Sequence, residues 1–295
     1  MKRIAFFALF LNPVLWGSFY TLAKQAVELT NPLMFSTSEV IATTPLALLI
    51  LVIRRKHLTR QDFSRGVVLG ALLYSVVILS IFALRYTTAT NTAFFPALNG
   101  VLACAIAWLV LRQRISAASV LAGALSVLGA VCVFRSSGVS GGHAGGDLIA
   151  LASAFMYTIY LFATKQLTAD ERADDWGLCA VELLTLSVLA TAFTTAGHAW
   201  DPTVLGRPQF VSVALYVGLG TTFIPTAIGI FFQRYVSAVD VAFLYVLEPV
   251  WGALFAYLLL DESLSALGYL GGGLIIASSI VQTQFDLRAR AATAS

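Results

Sequence analysis

Ten stretches of about 20 residues carry almost no charge, near 4–24, 33–53, 64–85, 89–111, 117–134, 147–165, 176–196, 209–232, 239–260 and 264–283. Each is long enough, at ~1.5 Å per helical residue, to cross a hydrocarbon layer ~30 Å thick. A soluble protein of this length covers its surface with charge, but here 59% of residues are hydrophobic and 11% charged, with mean hydropathy +0.85. The connections leave no room for a soluble domain, and the longest irregular pieces are 135–146 and 197–208. The chain therefore reads as an all-α membrane protein, because a helix closes its own backbone hydrogen bonds in lipid.

Charge sets the expected orientation. With both termini cytoplasmic, fourteen of the eighteen Lys and Arg residues lie inside, and Lys24, Arg85, Arg135 and Arg207 lie outside. The basic cluster Arg54-Arg55-Lys56-His57 is expected to fix topology and touch lipid headgroups. The start, Met1-Lys2-Arg3 before an apolar run, resembles a signal peptide. It carries Asn12-Pro13 and no small-residue cleavage site before Lys24, and so reads as a retained first span. An inner-membrane, multi-pass protein is the expectation.

An internal repeat gives the architecture. Residues 81–129 shifted by 149 positions align without a gap on 230–278, with 17 of 49 pairs identical, among them Arg85-Tyr86 on Arg234-Tyr235. A weaker match at an offset of 141 puts Lys24-Gln25 on Lys165-Gln166, Asn12 on Ser153 and Trp16 on Tyr157. Each half holds five spans, an odd number, so the second half runs upside down relative to the first. The expected organisation is a first five-helix repeat at 1–137, a Gly-rich outside linker at 138–146, and an inverted repeat at 147–295. Ten transmembrane helices in two inverted five-helix repeats around a central cavity are the pattern of alternating-access transporters, with the solute site near the midplane.

The residues also resemble a known family. Trp16-Gly17-Ser18, the run Thr88 to Ala93, the run Ser237 to Ala242, Leu247-Glu248-Pro249-Val250, and Leu260 to Ser265 leading to Gly271-Gly272 are similar to the EamA-type drug/metabolite transporters. The resemblance implies that the first four helices of each half surround the cavity and the fifth stands at the periphery. It also implies export of a metabolite or amino acid, aromatic ones included. Asn99-Gly100 departs from the repeat, standing where the second half has Glu248-Pro249.

Glu248 lies near the middle of the ninth segment, where an acid costs ~2.5–3.5 kcal/mol on insertion scales and normally faces a bundle interior. In a continuous helix, Pro249 would leave the Tyr245 carbonyl without its partner. Val241, Tyr245, Glu248 and Gly252 share a face, as do Thr92, Pro96, Asn99 and Ala103. Asn12, Trp16 and Tyr20 line up on the first segment, and Ser153, Tyr157 and Tyr160 on the sixth. Thr221, Thr222, Pro225 and Tyr74 complete an expected aromatic cavity for an amphipathic solute. The substrate-binding candidates are Glu248, Asn99, Trp16, Asn12, Tyr157, Tyr245, Thr92, Tyr74 and Thr221. The alternatives are interface anchors for the rings, interhelical hydrogen bonds for the amides and hydroxyls, and a structural acid for Glu248. Proton coupling through Glu248 stays open.

Glu39 and Glu182 superimpose at an offset of 143 and suggest two gate ion pairs, Lys24–Glu39 and Lys165–Glu182, or else static neutralisation. No cofactor or metal is expected: His57, His143 and His198 lie in loops, and Cys104, Cys132 and Cys179 lack metal spacing. The run Gly141 to Gly146 has no following Lys-Ser/Thr, and so is no phosphate loop. No nucleophile–base pair sits at one depth, so an enzyme is not expected. Neither is nucleic-acid binding. The partners expected are a small-molecule substrate, an amino acid or related metabolite, and membrane lipids. An importer or exchanger of another metabolite or cationic drug, or a channel-like facilitator, is the alternative.

Overall fold

With no water at the membrane centre, each apolar segment must satisfy its own backbone, and helices result. The computed structural model describes residues 2–110, 112, 115–136, 144–170, 173–261 and 265–294, and no strand occurs among them. The helices are α1 (Lys2–Leu29), α2 (Pro32–Arg54), α3 (Arg60–Tyr86), α4 (89–109), α5 (Ala117–Ser136), α6 (Ala144–Leu167), α7 (Asp175–Ala196), α8 (Pro208–Tyr235), α9 (Ala238–Leu260) and α10 (Ala266–Ala294). Among the described residues, eight stretches are long and apolar enough to cross a membrane, whereas the apolar parts of α5 and α10, Ala117–Cys132 and Ala266–Gln282, are shorter. Most of the expected Gly-rich linker, along with Arg114, Arg172 and Glu262 of the sequence argument, lies outside the described residues.

Local chemistry sets where helices begin. Asn31 accepts from the Met34 amide at 2.9 Å ahead of Pro32, whose missing N–H costs nothing in a first turn. Thr59 and Asp62 cap α3 reciprocally, the Asp62 amide donating to Thr59 Oγ1 at 3.1 Å and the Thr59 amide to Asp62 Oδ2 at 3.2 Å. Ser237 opens α9 by accepting from the Asp240 amide at 3.1 Å.

Three helices are interrupted near their middles. In α4 the pieces Ala89–Phe94 and Asn99–Leu109 flank a tight 3₁₀ turn, Phe95–Leu98, that contains Pro96. In α8 the stretch Val217–Phe223 is wound as π-helix. In α9 the chain breaks at Val246 and Leu247, so the expected continuous helix through Glu248 is corrected to two pieces, Ala238–Tyr245 and Glu248–Leu260. Pro249 therefore does not kink a running helix but sits in the first turn of the second piece. Glu248, also in that turn, meets the positive end of its dipole.

The polarity of the molecule is inside out. Phe7, Val110, Leu148 and Val188 stand mostly exposed, whereas Glu39, Glu182, Glu248, Asn99 and Thr37 are fully buried. Apolar exposure on this scale fits a lipid-facing belt. The helices of the two halves interleave: α2 packs on α7, α3 on α6 and α7, α1 on α8 and α9, α4 on α9, and α5 on α10. Close crossings rest on glycines, since a Cβ on Gly17 of α1 would lie 2.6 Å from Trp251 Cβ of α9, and one on Gly252 would lie 2.7 Å from Ala93 Cβ of α4. Ion pairs tie α7 to its neighbours at one end. Arg54 does more there than face headgroups, because its Nη2 lies 2.8 Å and its Nε 2.9 Å from Asp174 Oδ1. Arg234 pairs with Asp175.

Candidate solute site

The centre of the molecule is an aromatic cluster. The rings of Trp16 on α1 and Tyr157 on α6 meet with centroids 5.7 Å apart, and Tyr157 stacks on Tyr160 at 6.2 Å and on Tyr245 at 5.9 Å. Trp16 and Tyr157 are the positions paired by the 141-residue offset. Tyr157 to Tyr160 is one helical turn, so the stack follows from i, i+3 spacing on α6. Two small voids of about 10 Å³ each touch both Trp16 and Tyr157. Each has room for about one water molecule. Between these two voids the rings of Trp16 and Tyr157 are themselves in contact.

The two voids share Trp16 and Tyr157, and five further lining positions of each correspond across the repeat offsets. The first is lined by Asn12, Leu161, Pro225, Gly229, Gln233 and Tyr245, with Tyr160 and Thr226 beside them. The second is lined by Ser153, Tyr20, Val76, Ser80, Pro96 and Thr92. The 141 offset pairs Asn12 with Ser153 and Tyr20 with Leu161, and the 149 offset pairs Val76 with Pro225, Ser80 with Gly229 and Pro96 with Tyr245. Hydrogen bonds repeat the match. Asn12 Nδ2 donates to the Pro225 carbonyl at 3.3 Å, and Ser153 Oγ donates to the Val76 carbonyl at 2.9 Å. Asn12 also donates to the Tyr245 hydroxyl at 2.5 Å, and Ser153 shares a hydrogen bond with Ser80 at 2.8 Å.

Of the residues singled out in the sequence, Asn12, Trp16, Tyr157, Tyr245 and Thr92 line a void. Glu248 is fully buried and reaches the second void through Tyr20, whose hydroxyl donates to its Oε1; its Oε2 has no hydrogen-bond partner. Three candidates stand apart. Asn99 lines neither void and accepts from Thr158 Oγ1 at 3.4 Å. Thr221 spends its hydroxyl on the Val217 carbonyl of its own π-wound stretch at 2.8 Å. Tyr74 stacks on Phe193 at 5.6 Å and faces Ser36 and Glu39.

The expected gate ion pairs are not formed. Lys24 donates to the carbonyls of Leu84 at 2.8 Å and Thr87 at 3.1 Å, and neither oxygen of Glu39 has a hydrogen-bond partner. Lys165 donates to the Arg234 carbonyl, while Glu182 accepts from the Tyr160 hydroxyl at 2.8 Å. The physical reason is that the C-terminal carbonyls of α3 and of α8 are orphaned by helix geometry, and a lysine end satisfies them where a buried acid is out of reach. The two lysines occupy corresponding positions at the 141-residue offset, and each reaches a carbonyl at the C-terminal end of a helix, α3 for Lys24 and α8 for Lys165.

Sequence reasoning passed over Thr226, Gly229, Gln233 and Ser80. Pro225, Gly229 and Gln233 recur every four residues and so share a face, a spacing that marks the lining of the first void. Gln233 is buried and donates to the Leu161 carbonyl at 2.5 Å. A larger hollow of about 400 Å³ lies elsewhere, between Phe94, Pro249, Val250, Tyr257, Tyr269 and Ile276. Its walls are almost wholly apolar, so it offers little to orient a polar solute.

Comparison with known proteins agrees with this picture of a helical membrane protein. A model of the EamA-like transporter family matches residues 3–135 and 144–283. An uncharacterized transporter of Archaeoglobus fulgidus is 27% identical over 285 residues, covering 95% of this chain and 86% of that one. An uncharacterized transporter of Clostridium kluyveri is 24% identical over 260 residues, covering 83% and 80%. A solved crystal structure matches with a TM-score of 0.76 at 17% identity, over 98% of this chain and 99% of that one, which is a likeness of fold. The chain belongs to the EamA-like transporter family.

Proposed function

We propose that the protein is a secondary transporter that moves a small organic solute by alternating access between two inverted halves, 1–137 and 147–295. The observation that carries this reading is a pair of voids that share Trp16 and Tyr157 as lining and otherwise draw on corresponding positions of the two halves. A chain built of two equivalent halves has two equivalent packings, and exchanging them moves the opening from one void to the other. A permanent pore needs no such barrier. The solute is an amino acid or related metabolite, aromatic ones first, exported across the cell inner membrane with both termini cytoplasmic. Stacked rings accept its apolar body, Asn12, Gln233 and Thr226 offer hydrogen bonds, and Glu248 behind Tyr20 is the acid for its ammonium group. The solute is the one partner besides lipid that this requires, and proton coupling would act through the same acid.

The test is uptake into proteoliposomes containing the purified protein, across a panel of amino acids, amines and nucleobases, with and without a pH gradient. Saturable uptake accelerated by unlabelled solute on the far side is the expected result. Non-saturable flux with no such acceleration means a channel-like facilitator. No flux for any solute removes the transporter reading of the site.

A further inference from the structure

Glu182 has a donor and a position that the transport reading above does not use. Its Oε1 accepts from Tyr160, which lines the first void, just as Glu248 accepts from Tyr20, which lines the second. Both carboxyls are fully buried, and each keeps one oxygen, Oε2, without a hydrogen-bond partner. Between them the rings are continuous. Tyr160 meets Tyr157 at 6.2 Å, Tyr157 meets Trp16 at 5.7 Å, Trp16 meets Phe19 at 5.2 Å, and Phe19 meets Tyr20 at 5.4 Å.

Among the described residues, no Lys or Arg forms an ion pair with either acid. Glu182 is faced by Tyr160 from α6, by Gly70 from α3 against its carbonyl, and by Cys179 on its own helix, with Asp175 further along that helix. Glu248 is faced by Tyr20 from α1, Tyr157 from α6 and Tyr245 from its own helix. Among the described residues lining the two voids there is no Lys, Arg or His. Two acids joined by a row of aromatic rings, with no base among the described residues lining the two voids, attract a cation and repel an anion.

We infer that this ladder binds the ammonium group of an organic amine or quaternary ammonium, with Glu182–Tyr160 as one carboxyl station and Glu248–Tyr20 as the other, one on each side of the Trp16–Tyr157 barrier. The inference rests on the transport reading for the place of the voids, and deepens it by naming the solute class. A carboxylate on the solute adds nothing here, because no group in either lining neutralises it. When a station is protonated, the arriving ammonium displaces that proton, which leaves to bulk water while the carboxylate stays behind as counter-ion, so charge balances.

The experiment is equilibrium binding to the full-length protein in detergent micelles, with labelled phenethylamine as the probe. Benzyltrimethylammonium is expected to displace it, and phenylalanine to displace it no better than unlabelled phenethylamine does. The anion 3-phenylpropionate should need at least ~10-fold more, a tenfold ratio being 1.4 kcal/mol of charge preference. Glu182→Gln and Glu248→Gln should each weaken phenethylamine about tenfold. A control free of any variant uses the wild-type protein in weak buffer. Benzyltrimethylammonium has no proton to give, so protons released on its addition come from the protein, and Glu182→Gln should release fewer. Equal competition by 3-phenylpropionate, no binding of any probe, wild-type affinity in Glu182→Gln, or no proton release overturns the inference. Binding that behaves as expected in a protein that moves nothing would remove the transport reading alone. Normal transport with an unaffected Glu182→Gln removes this one alone.

Discussion

Gly218→Ala is a sharp test of how closely α8 lies on α2. A Cβ on Gly218 would stand 2.1 Å from the Glu39 carbonyl oxygen and 3.0 Å from Ala42 Cβ. The first neighbour is backbone, so it has no rotamer to turn away, and α2 must retreat by about 1 Å to accept one methyl group. Overpacking of this kind costs about 1–3 kcal/mol, against a gain of about 0.5–1 kcal/mol from replacing a helical glycine. The net loss is therefore about 1–2 kcal/mol, a factor of about 5–30 in the unfolding equilibrium. Gly70→Ala, with its Cβ 2.6 Å from the Glu182 carbonyl and 2.6 Å from Thr185 Cβ, should lose somewhat less, because its closest approach is longer than the 2.1 Å at Gly218. Gly272→Ala meets nothing within 4 Å and is the control. SDS-driven unfolding in mixed micelles, read by tryptophan fluorescence, gives the three free energies. If Gly218→Ala unfolds at the same SDS fraction as Gly272→Ala, the helices are not in contact as described.

Glu248→Gln should alter transport far more than folding, since glutamine keeps an acceptor for the Tyr20 hydroxyl; wild-type flux from a well-folded preparation would sink the role given to the acid. Lys24→Met should raise amide exchange at the C-terminal turn of α3 while Glu39→Gln does not, and a double-mutant cycle between the two should show no coupling. A coupling energy near 1 kcal/mol or more would restore the ion pair. At the loop before α8, hydrogen bonds from the Thr203 side chain first, then from Thr30, hold the Asp201 carboxyl below its ordinary value. A depressed value in the folded state means the contribution is present above about pH 4 and lost as pH falls further through the folded value. The protection factor of the Thr203 amide, its exchange rate relative to an unstructured amide at the same pH, should therefore fall on acidification, and Asp201→Asn should abolish that change in protection.

The apolar helices were legible because hydropathy survives in a one-dimensional string, eight of them being long enough to span among the described residues. What escaped depended on side-chain reach. Lys24 and Lys165 were assigned acids because opposite charges at similar depth attract, yet helix ends present orphaned carbonyls nearer by. Thr221 was grouped with the cavity by its hydroxyl, but the π-wound turn of α8 gives that hydroxyl a carbonyl of its own helix. The break at Val246 and Leu247 was hidden because the residues around it carry no glycine and no turn signal, and only the proline two positions on hinted at it.

The repeat also explains where symmetry is broken. The 149 offset puts Asn99 opposite Glu248, and the 141 offset puts Leu161 opposite Tyr20, so the acid and its hydroxyl donor are both absent from the matching place. Glu39 keeps the acid equivalent to Glu182, but Phe19 stands where the other half has Tyr160. It is Glu39 whose two oxygens both lack a hydrogen-bond partner. A phenyl ring in place of a phenol removes the donor while keeping the shape, which is why the packing of α1 survives the change. The two Tyr–Glu pairs are therefore not mirror images: one joins α1 to α9, the other α6 to α7. On the transport reading proposed above, two faces that differ in where their acids sit would hold a charged solute unequally, and an unequal hold would favour one of the two packings over the other.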